Sequence, residues 1–368
     1  MSSEKKISYY FLFVILLYII LTNSYLDFED SLIFGGSDGF SYYEISKFAP
    51  KLSSTDIQPI HAERFFFPYI IGIISKITNI EIYLLYRILV IMLILLINKY
   101  FIDNFFQFYK NINFILLSLL IINFNPYLTR FYISVPLIIN DLIFIYGSLL
   151  AIGGLKNKNK KKFFIGLIIS SFARQSAAAI CIAIFTIKII QKKRFFFKGY
   201  DVILSIIIFF LIYFLGYIYS SLIPATVPRS EQYLITIFGL FIENKPFKEL
   251  FIFFFWPFLS FAPMIIYFIF IIKKNLISFK TNRNLNLYLI FFTFLIVAQP
   301  ILQGLYVSGK NIIRLTTLAY PAVLIYFLIN SKSQTFSRIV FMIFMIIFFI
   351  WSSHPTFSIF DFLEKFKF

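Results

Sequence analysis

The chain has a single cysteine in 368 residues, so it holds no internal disulfide and no multi-cysteine metal cluster. That residue, Cys181, sits in an apolar stretch and reads as a small core side chain. Histidine is nearly as scarce, with two copies, and no His-rich metal motif is present. Acidic residues number 17 against 34 Lys and Arg. There is no Gly-rich phosphate loop, no nucleophile elbow, no internal repeat and no separate soluble domain. The apolar runs do not alternate with polar residues, which excludes a β-barrel.

What remains is largely apolar. Hydrophobic residues make up 60% of the chain, mean hydropathy is +0.85, and Phe and Tyr alone contribute 53 and 24 residues. Repeated apolar runs of bilayer length predict an all-α, polytopic membrane protein, with roughly 10–12 transmembrane helices, some of them short or re-entrant. Residues 1–368 read as one integral membrane domain. The net charge of +17 does not point to nucleic acid, because Lys and Arg cluster in short loops at Lys5–Lys6, Lys156–Lys162, Lys188–Arg194 and Lys273–Lys280. That placement marks cytoplasmic loops that meet anionic lipid.

The basic loops set the expected topology. With Lys5 and Lys6 inside, an uncleaved first span at 7–23 delivers residues 24–64 to the outside of a bacterial plasma membrane. The run 65–77, with Pro68 and Gly72, is short for a crossing. A full crossing there would put the lysines at 156–162 outside, so it reads as a partial or re-entrant element. Spans follow at 81–98, at 112–124 and, after a turn at Asn125-Pro126, at 131–153. Residues 163–190 lie between two basic loops and are too few for two full spans. They read as a short helical hairpin with Arg174-Gln175 near its apex, whose small residues Ser170, Ser171, Ala173 and Ser176–Ala179 allow close packing. Spans at 201–221, 250–272, 286–300, 315–330 and 338–352 complete the set. A second outer loop lies at 222–249 and an amphipathic outer tail at 353–368.

Charged groups near membrane depth mark function by default. The stretch 24–64 gathers Asp27, Glu29, Asp30, Asp38, Glu44, His61, Glu63 and Arg64. Asp38, in GGSDGFSYYEIS, is the leading catalytic carboxylate, as general base or metal ligand, with a helix N-cap as the plainer reading. Asp30 is its rival, unless the earlier acidic group merely faces water. Tyr42, in the same run as Asp38, is a candidate for substrate binding. His61 and Arg64 lie in HAERFFFPYIIG, where Arg64 directly precedes the Pro-broken element and is placed to meet a phosphate. Arg130 and Asp141 fall at the start and middle of one span, where an ion pair and a functional role stand as equal alternatives. Arg174, beside Gln175, requires a phosphate, a carboxylate partner or water. Lys310 and Arg314, in SGKNIIR at a helix start, read either as a further anion site or as simple interfacial cations. Together these cations suit a diphosphate with a carboxylate at work nearby.

The order of these features resembles the GT-C superfamily of membrane glycosyltransferases. The resemblance rests on DGFSYYEIS, ERFFFPYIIGIISK, RFYISVPLIINDLIFIYGSLLAI and LIISSFARQSAAAICIAIF, which cover roughly the first half of the chain. It implies inverting transfer of a sugar from a polyprenyl-phosphate donor to a glycan, lipid or protein acceptor outside the cytoplasm. In that family a carboxylate of the first outer loop acts as base or orients the acceptor, sometimes with a divalent metal such as Mg or Mn. Here that role falls on Asp38, with Asp30 as rival, and donor-phosphate binding falls on Arg64 and Arg174. An O-antigen or exopolysaccharide polymerase using a diphosphate-linked oligosaccharide is the second enzyme reading. A lipid-linked sugar flippase or transporter is the non-enzyme one, although no matching inverted halves are visible.

Overall fold

The computed structural model describes residues 3–23, 25–105, 112–191, 195–242, 283–304 and 312–330, with isolated positions at 261, 342–343 and 346–347. Among these the protein is all-α, and the one β-type contact is an isolated bridge between Ile57 and Ala225. Among the described residues five helices are long and apolar enough to cross a bilayer: α1 (Ser3–Thr22), α5 (Ile82–Phe105), α8 (Ile139–Lys156), α11 (Gly199–Ser221) and the helix Arg283–Leu302. The chain is therefore a polytopic helical membrane protein. Helix α8 is buried on nearly every side. By contrast α1 exposes Phe13 and Leu21, and α11 exposes Ile203, Phe210 and Phe214, as helices facing lipid do.

The bundle has two chemically distinct ends. At one, Lys5 pairs with Asp103 at 2.5 Å, and Lys162 Nζ donates to Asn104 Oδ1 at 2.9 Å. There too Lys160 pairs with Asp201 at 2.7 Å, and Lys188 Nζ donates to the Phe197 carbonyl at 3.0 Å. The described lysines of the first three basic clusters thus converge on a single face. At the other end, Asn23 Nδ2 donates to Ser134 Oγ at 2.8 Å and the Tyr83 hydroxyl to the Leu26 carbonyl at 2.9 Å. So α1 leads away from the lysines and α5 leads back to them. Everything between, including α2 (Phe28–Phe48), α3 (Pro59–Ala62) and α4 (Phe66–Thr78), stays at the far end. Helix α4 has 13 residues, about 20 Å of rise against a hydrocarbon core of about 30 Å. It is tied to α2 by Ser46 Oγ, which donates to the Pro68 carbonyl at 2.7 Å. It does not cross, as the charge parity requires.

The turn expected at Asn125-Pro126 is not a reversal. Helix α6 (Ile112–Asn123) ends there, but the Asn125 side chain accepts from the Tyr127 N–H at 2.9 Å and Pro126 opens a π-helical turn, Pro126–Arg130. A cap followed by proline restarts a helix instead of stopping it. The chain continues outward through α7 (Phe131–Ser134), so that Arg130 meets Thr22 at the far end. It reverses only at Val135-Pro136, ahead of α8. At the elbow Asn98 and Asn123 exchange amide hydrogen bonds of 3.0 and 2.7 Å inside the core.

The segment 163–190 does run out and back, as α9 (Lys160–Ala173) and α10 (Ala178–Gln191), with Arg174 and Gln175 between them. The two arms do not pack along one another. Helix α9 packs along α8, α10 packs on Arg283–Leu302, and α11 lies against both arms. Of the segment's small residues, Ser170 serves the α8–α9 seam: a Cβ on Gly147 would lie 2.5 Å from Ser170 Oγ and 2.8 Å from the Gly166 carbonyl oxygen. The expected span 286–300 is the helix Arg283–Leu302, while 315–330 is two pieces, Ile312–Thr317 and Tyr320–Asn330. The expected spans 250–272 and 338–352, the tail 353–368 and Lys310 lie outside the described residues.

Candidate functional site

Helix α2 contains a backbone break at Gly36, whose φ of 55° and ψ of −151° suit a residue without a Cβ. Asp38 sits just past that break. Its carboxylate does not cap the helix; it points into the bundle, where Asp38 is 8% exposed. Oδ1 accepts from His61 Nε2, and Oδ2 accepts from Arg314 Nη2 at 2.6 Å. Arg314 continues the chain of charges, its Nε lying 3.6 Å from Asp141 Oδ2. Asp141, fully buried in the first turn of α8, also pairs with Arg174 Nη1 and accepts from the Tyr132 hydroxyl at 3.1 Å. The sequence thus runs His61, Asp38, Arg314, Asp141, Arg174, alternating in sign wherever both partners carry charge.

Arg64 lies beside this chain with a different set of partners. Its Nη1 donates to the Tyr42 hydroxyl at 3.3 Å and its Nε to Gln175 Oε1 at 2.6 Å, both neutral groups. Its backbone carbonyl accepts from Asn140 Nδ2 at 3.1 Å. Gln175 Nε2 in turn donates to Glu63 Oε2 at 2.9 Å and to the Ile60 carbonyl at 3.1 Å. The other Glu63 oxygen accepts from the hydroxyl of Tyr233, on helix α12 (Arg229–Ile242). Gln232 of the same helix accepts the Ile60 N–H at 3.1 Å, so α12 lies on the HAER segment.

These contacts bring seven separate segments together. Pro59 starts α3 and points His61 inward, and Arg64 follows at once. Arg174 occupies the single extended residue between α9 and the short turn Gln175–Ala177. Three guanidiniums (Arg64, Arg174, Arg314) face two buried carboxylates (Asp38, Asp141), which leaves one positive charge unmatched inside the cluster, with half-buried Glu63 at its edge. The Nε groups of Arg174 and Arg314 are buried without a hydrogen-bond acceptor. An uncompensated buried donor on a cation is unfavourable until an anion or water meets it.

Burial alone would raise the Asp38 carboxyl, but the His61 and Arg314 charges beside it, with Arg64 close by, hold it well below the usual carboxylate range. Glu63 moves the other way: burial pushes it up, against the pull of the Tyr233 and Gln175 hydrogen bonds. Ser41 Oγ lies 3.3 Å from His61 Nδ1 and donates to the Ser37 carbonyl at 2.6 Å.

The structure therefore brings together Asp38, Tyr42, His61, Arg64, Asp141, Arg174, Gln175 and Arg314. It separates two others. Asp30 is exposed in the first turn of α2, where its N–H is capped by the Asp27 carboxylate at 2.8 Å. Arg130 lies against Thr22 and over the Tyr18 ring. Tyr132 and Asn140 escaped sequence reasoning, and Glu63 was named in the polar stretch without a role of its own. The adjacent polar pair Asn140-Asp141 within an apolar run was the available signal for the second.

A divalent cation does not fit this donor set. Both oxygens of Asp38 and both of Asp141 already accept from cationic or hydroxyl donors, and three guanidiniums surround them. Among the described residues no group of three or more His, Cys, Asp or Glu side chains is arranged to hold a metal.

Fold and site together define an all-α polytopic membrane protein with a buried arginine–carboxylate cluster at the end of the bundle away from its basic loops. No family model, curated protein or solved structure matches the chain.

Proposed function

We propose that the protein is an integral membrane glycosyltransferase that moves a sugar from a polyprenyl-phosphate donor to an extracytoplasmic glycan, lipid or protein acceptor. The carrying observation is the surplus of buried guanidinium: among the described residues Arg64 hydrogen-bonds to neutral groups alone, the Arg174 Nε has no hydrogen-bond acceptor, and the Arg314 Nε has none nearer than Asp141 at 3.6 Å. Such a cluster suits a phosphate that gains charge as it leaves. Arg174 takes a narrower part than the sequence suggested, because one face of it is already given to Asp141.

Two further features support the reading. The cluster lies opposite the lysine-rich end, which under the positive-inside rule faces the cytoplasm of a bacterial plasma membrane. Between α1 and α5 runs a furrow of about 330 Å³ lined by Leu12, Leu16, Ile20, Ile91, Ile94 and Ile133, with exposed Phe13 and Leu17 at its rim. A hydrocarbon tail suits such a wall. In the reaction the acceptor oxygen bonds to the anomeric carbon, the carbon–oxygen bond to phosphate breaks, and the polyprenyl phosphate leaves with the electron pair, inverting the centre. Asp38 keeps His61 and Arg314 in place around that event.

The test is incubation of purified protein with radiolabelled polyprenyl-monophosphate sugars and a cell-envelope extract. Label appearing in an acceptor, with release of polyprenyl phosphate, supports the proposal. Turnover only of diphosphate-linked oligosaccharides would make the protein a polymerase. Movement of a lipid-linked sugar across vesicles with no bond broken would make it a flippase.

A further inference from the structure

The two carboxylates at the centre of the cluster are poor proton acceptors. Each oxygen of Asp38 faces a guanidinium or an imidazole, and those of Asp141 face two arginines and a tyrosine. Protonating either would break buried ion pairs. An inverting transfer nevertheless needs a group to receive the acceptor's hydroxyl proton.

Glu63 meets the geometric conditions that Asp38 and Asp141 do not. It is only half-buried, and its two hydrogen bonds come from neutral donors, the Gln175 amide and the Tyr233 hydroxyl, so each oxygen keeps a lone pair. The Gln175 amide also holds Arg64 by its oxygen, at 2.6 Å, while its nitrogen holds Glu63, at 2.9 Å. Two such bonds across one amide hold the guanidinium nitrogen and the carboxylate oxygen within about 8 Å of each other, close enough for both to reach one bound sugar phosphate and its acceptor.

We infer that Glu63 is the general base of the reaction and that Gln175 sets its distance from the phosphate-binding Arg64. This rests on the transferase reading above. In the step, the acceptor O–H proton passes to a Glu63 oxygen as the acceptor oxygen bonds to the anomeric carbon and the polyprenyl phosphate departs with the electrons of the broken bond. The raised carboxyl of Glu63 makes it the stronger base, in contrast to Asp38. The groups that bear on its titration are Tyr233 and Arg229 of α12, Tyr213 of α11, Gln175 and neighbouring Arg64.

The experiment compares wild type, Glu63→Gln and Glu63→Asp in nanodiscs. It reads binding of a polyprenyl monophosphate, transfer of radiolabelled sugar and the pH–rate profile. Wild type is expected to bind and transfer. E63Q is expected to bind the lipid phosphate within about twofold of wild type while transfer falls about 10²–10⁴-fold and the rising limb of the profile disappears. E63D should keep a limb, shifted. Transfer by E63Q within about threefold of wild type, or an unchanged limb, would overturn the inference and leave the transferase reading standing. A wild type that neither binds polyprenyl phosphate nor transfers sugar would overturn both. Should E63Q not fold, Gln175→Met supplies the readout: losing a hydrogen bond that lowers Glu63 should move the limb to higher pH, and an unmoved limb counts against the assignment.

Discussion

Asp38 and Arg314 stand 276 residues apart in the sequence and 2.6 Å apart in space. Their pairing joins the polar stretch after α1 to a short helix near the end of the described chain. Neither residue is exposed enough for water to replace its partner, at 8% and 6%.

Removing one member therefore leaves an uncompensated charge. Asp38→Asn and Arg314→Gln are each expected to lower stability by about 3–5 kcal/mol, and the double variant by less than their sum, with a coupling of about 1–3 kcal/mol. Thermal unfolding of the four proteins in one detergent closes the cycle. Additivity to within about 0.5 kcal/mol would dissolve the pair. Transfer should vanish in both single variants while membrane insertion persists.

The pH dependence of that contribution has a definite sign. Because the folded state holds the Asp38 carboxyl below its unfolded value of about 3.9, its stabilisation is present above that value and fades as pH falls through the depressed folded one. The difference in unfolding midpoint between wild type and Asp38→Asn should be flat from about pH 7 to 5 and shrink only below about pH 4. A difference that already shrinks between pH 7 and 5.5 would assign it to another group.

The seam between α8 and α9 sets the distance from Asp141 to Arg174. Gly147→Ala introduces a Cβ 2.5 Å from Ser170 Oγ and 2.8 Å from a backbone oxygen, which has no easy way to yield. A loss of about 1–3 kcal/mol is expected, together with weaker binding of polyprenyl phosphate. Tight binding and an unchanged midpoint would show that the seam is slack.

Orientation is open to labelling. Cys181 is the sole cysteine and is buried, so a Cys181→Ser background is silent to thiol reagents. Ser54→Cys, at the site end, is expected to react with an impermeant maleimide on intact cells, and Asn157→Cys, at the lysine end, only after permeabilisation. The reverse pattern would invert the topology.

The fold was legible where it depends on local composition. Lysine clusters announced which loops share a face, and Pro68 with Gly72 in a short run marked α4 as an element that stays on one side. Proline misled at Asn125-Pro126, because a cap and a break look alike until the following turn is placed. The site was half legible. A charge inside an apolar run is conspicuous, so Asp141, Arg174 and Arg314 were found. Which charge meets which is decided by contacts between residues 23 to 276 apart, and no periodicity encodes that. Arg130 had the same appearance as Arg174 and went to the end of α1 instead. Glu63 lay in plain view within HAER, yet only its neutral partners distinguish it from an ordinary surface acid.

Gln175 touches a cation with one end and an anion with the other. Glutamate in its place would set two like charges together at Glu63, lysine or arginine would do so at Arg64, and asparagine is a methylene too short. Among flexible side chains of this reach, only an amide can serve as an electrically silent ruler, keeping two opposite charges apart without joining either side.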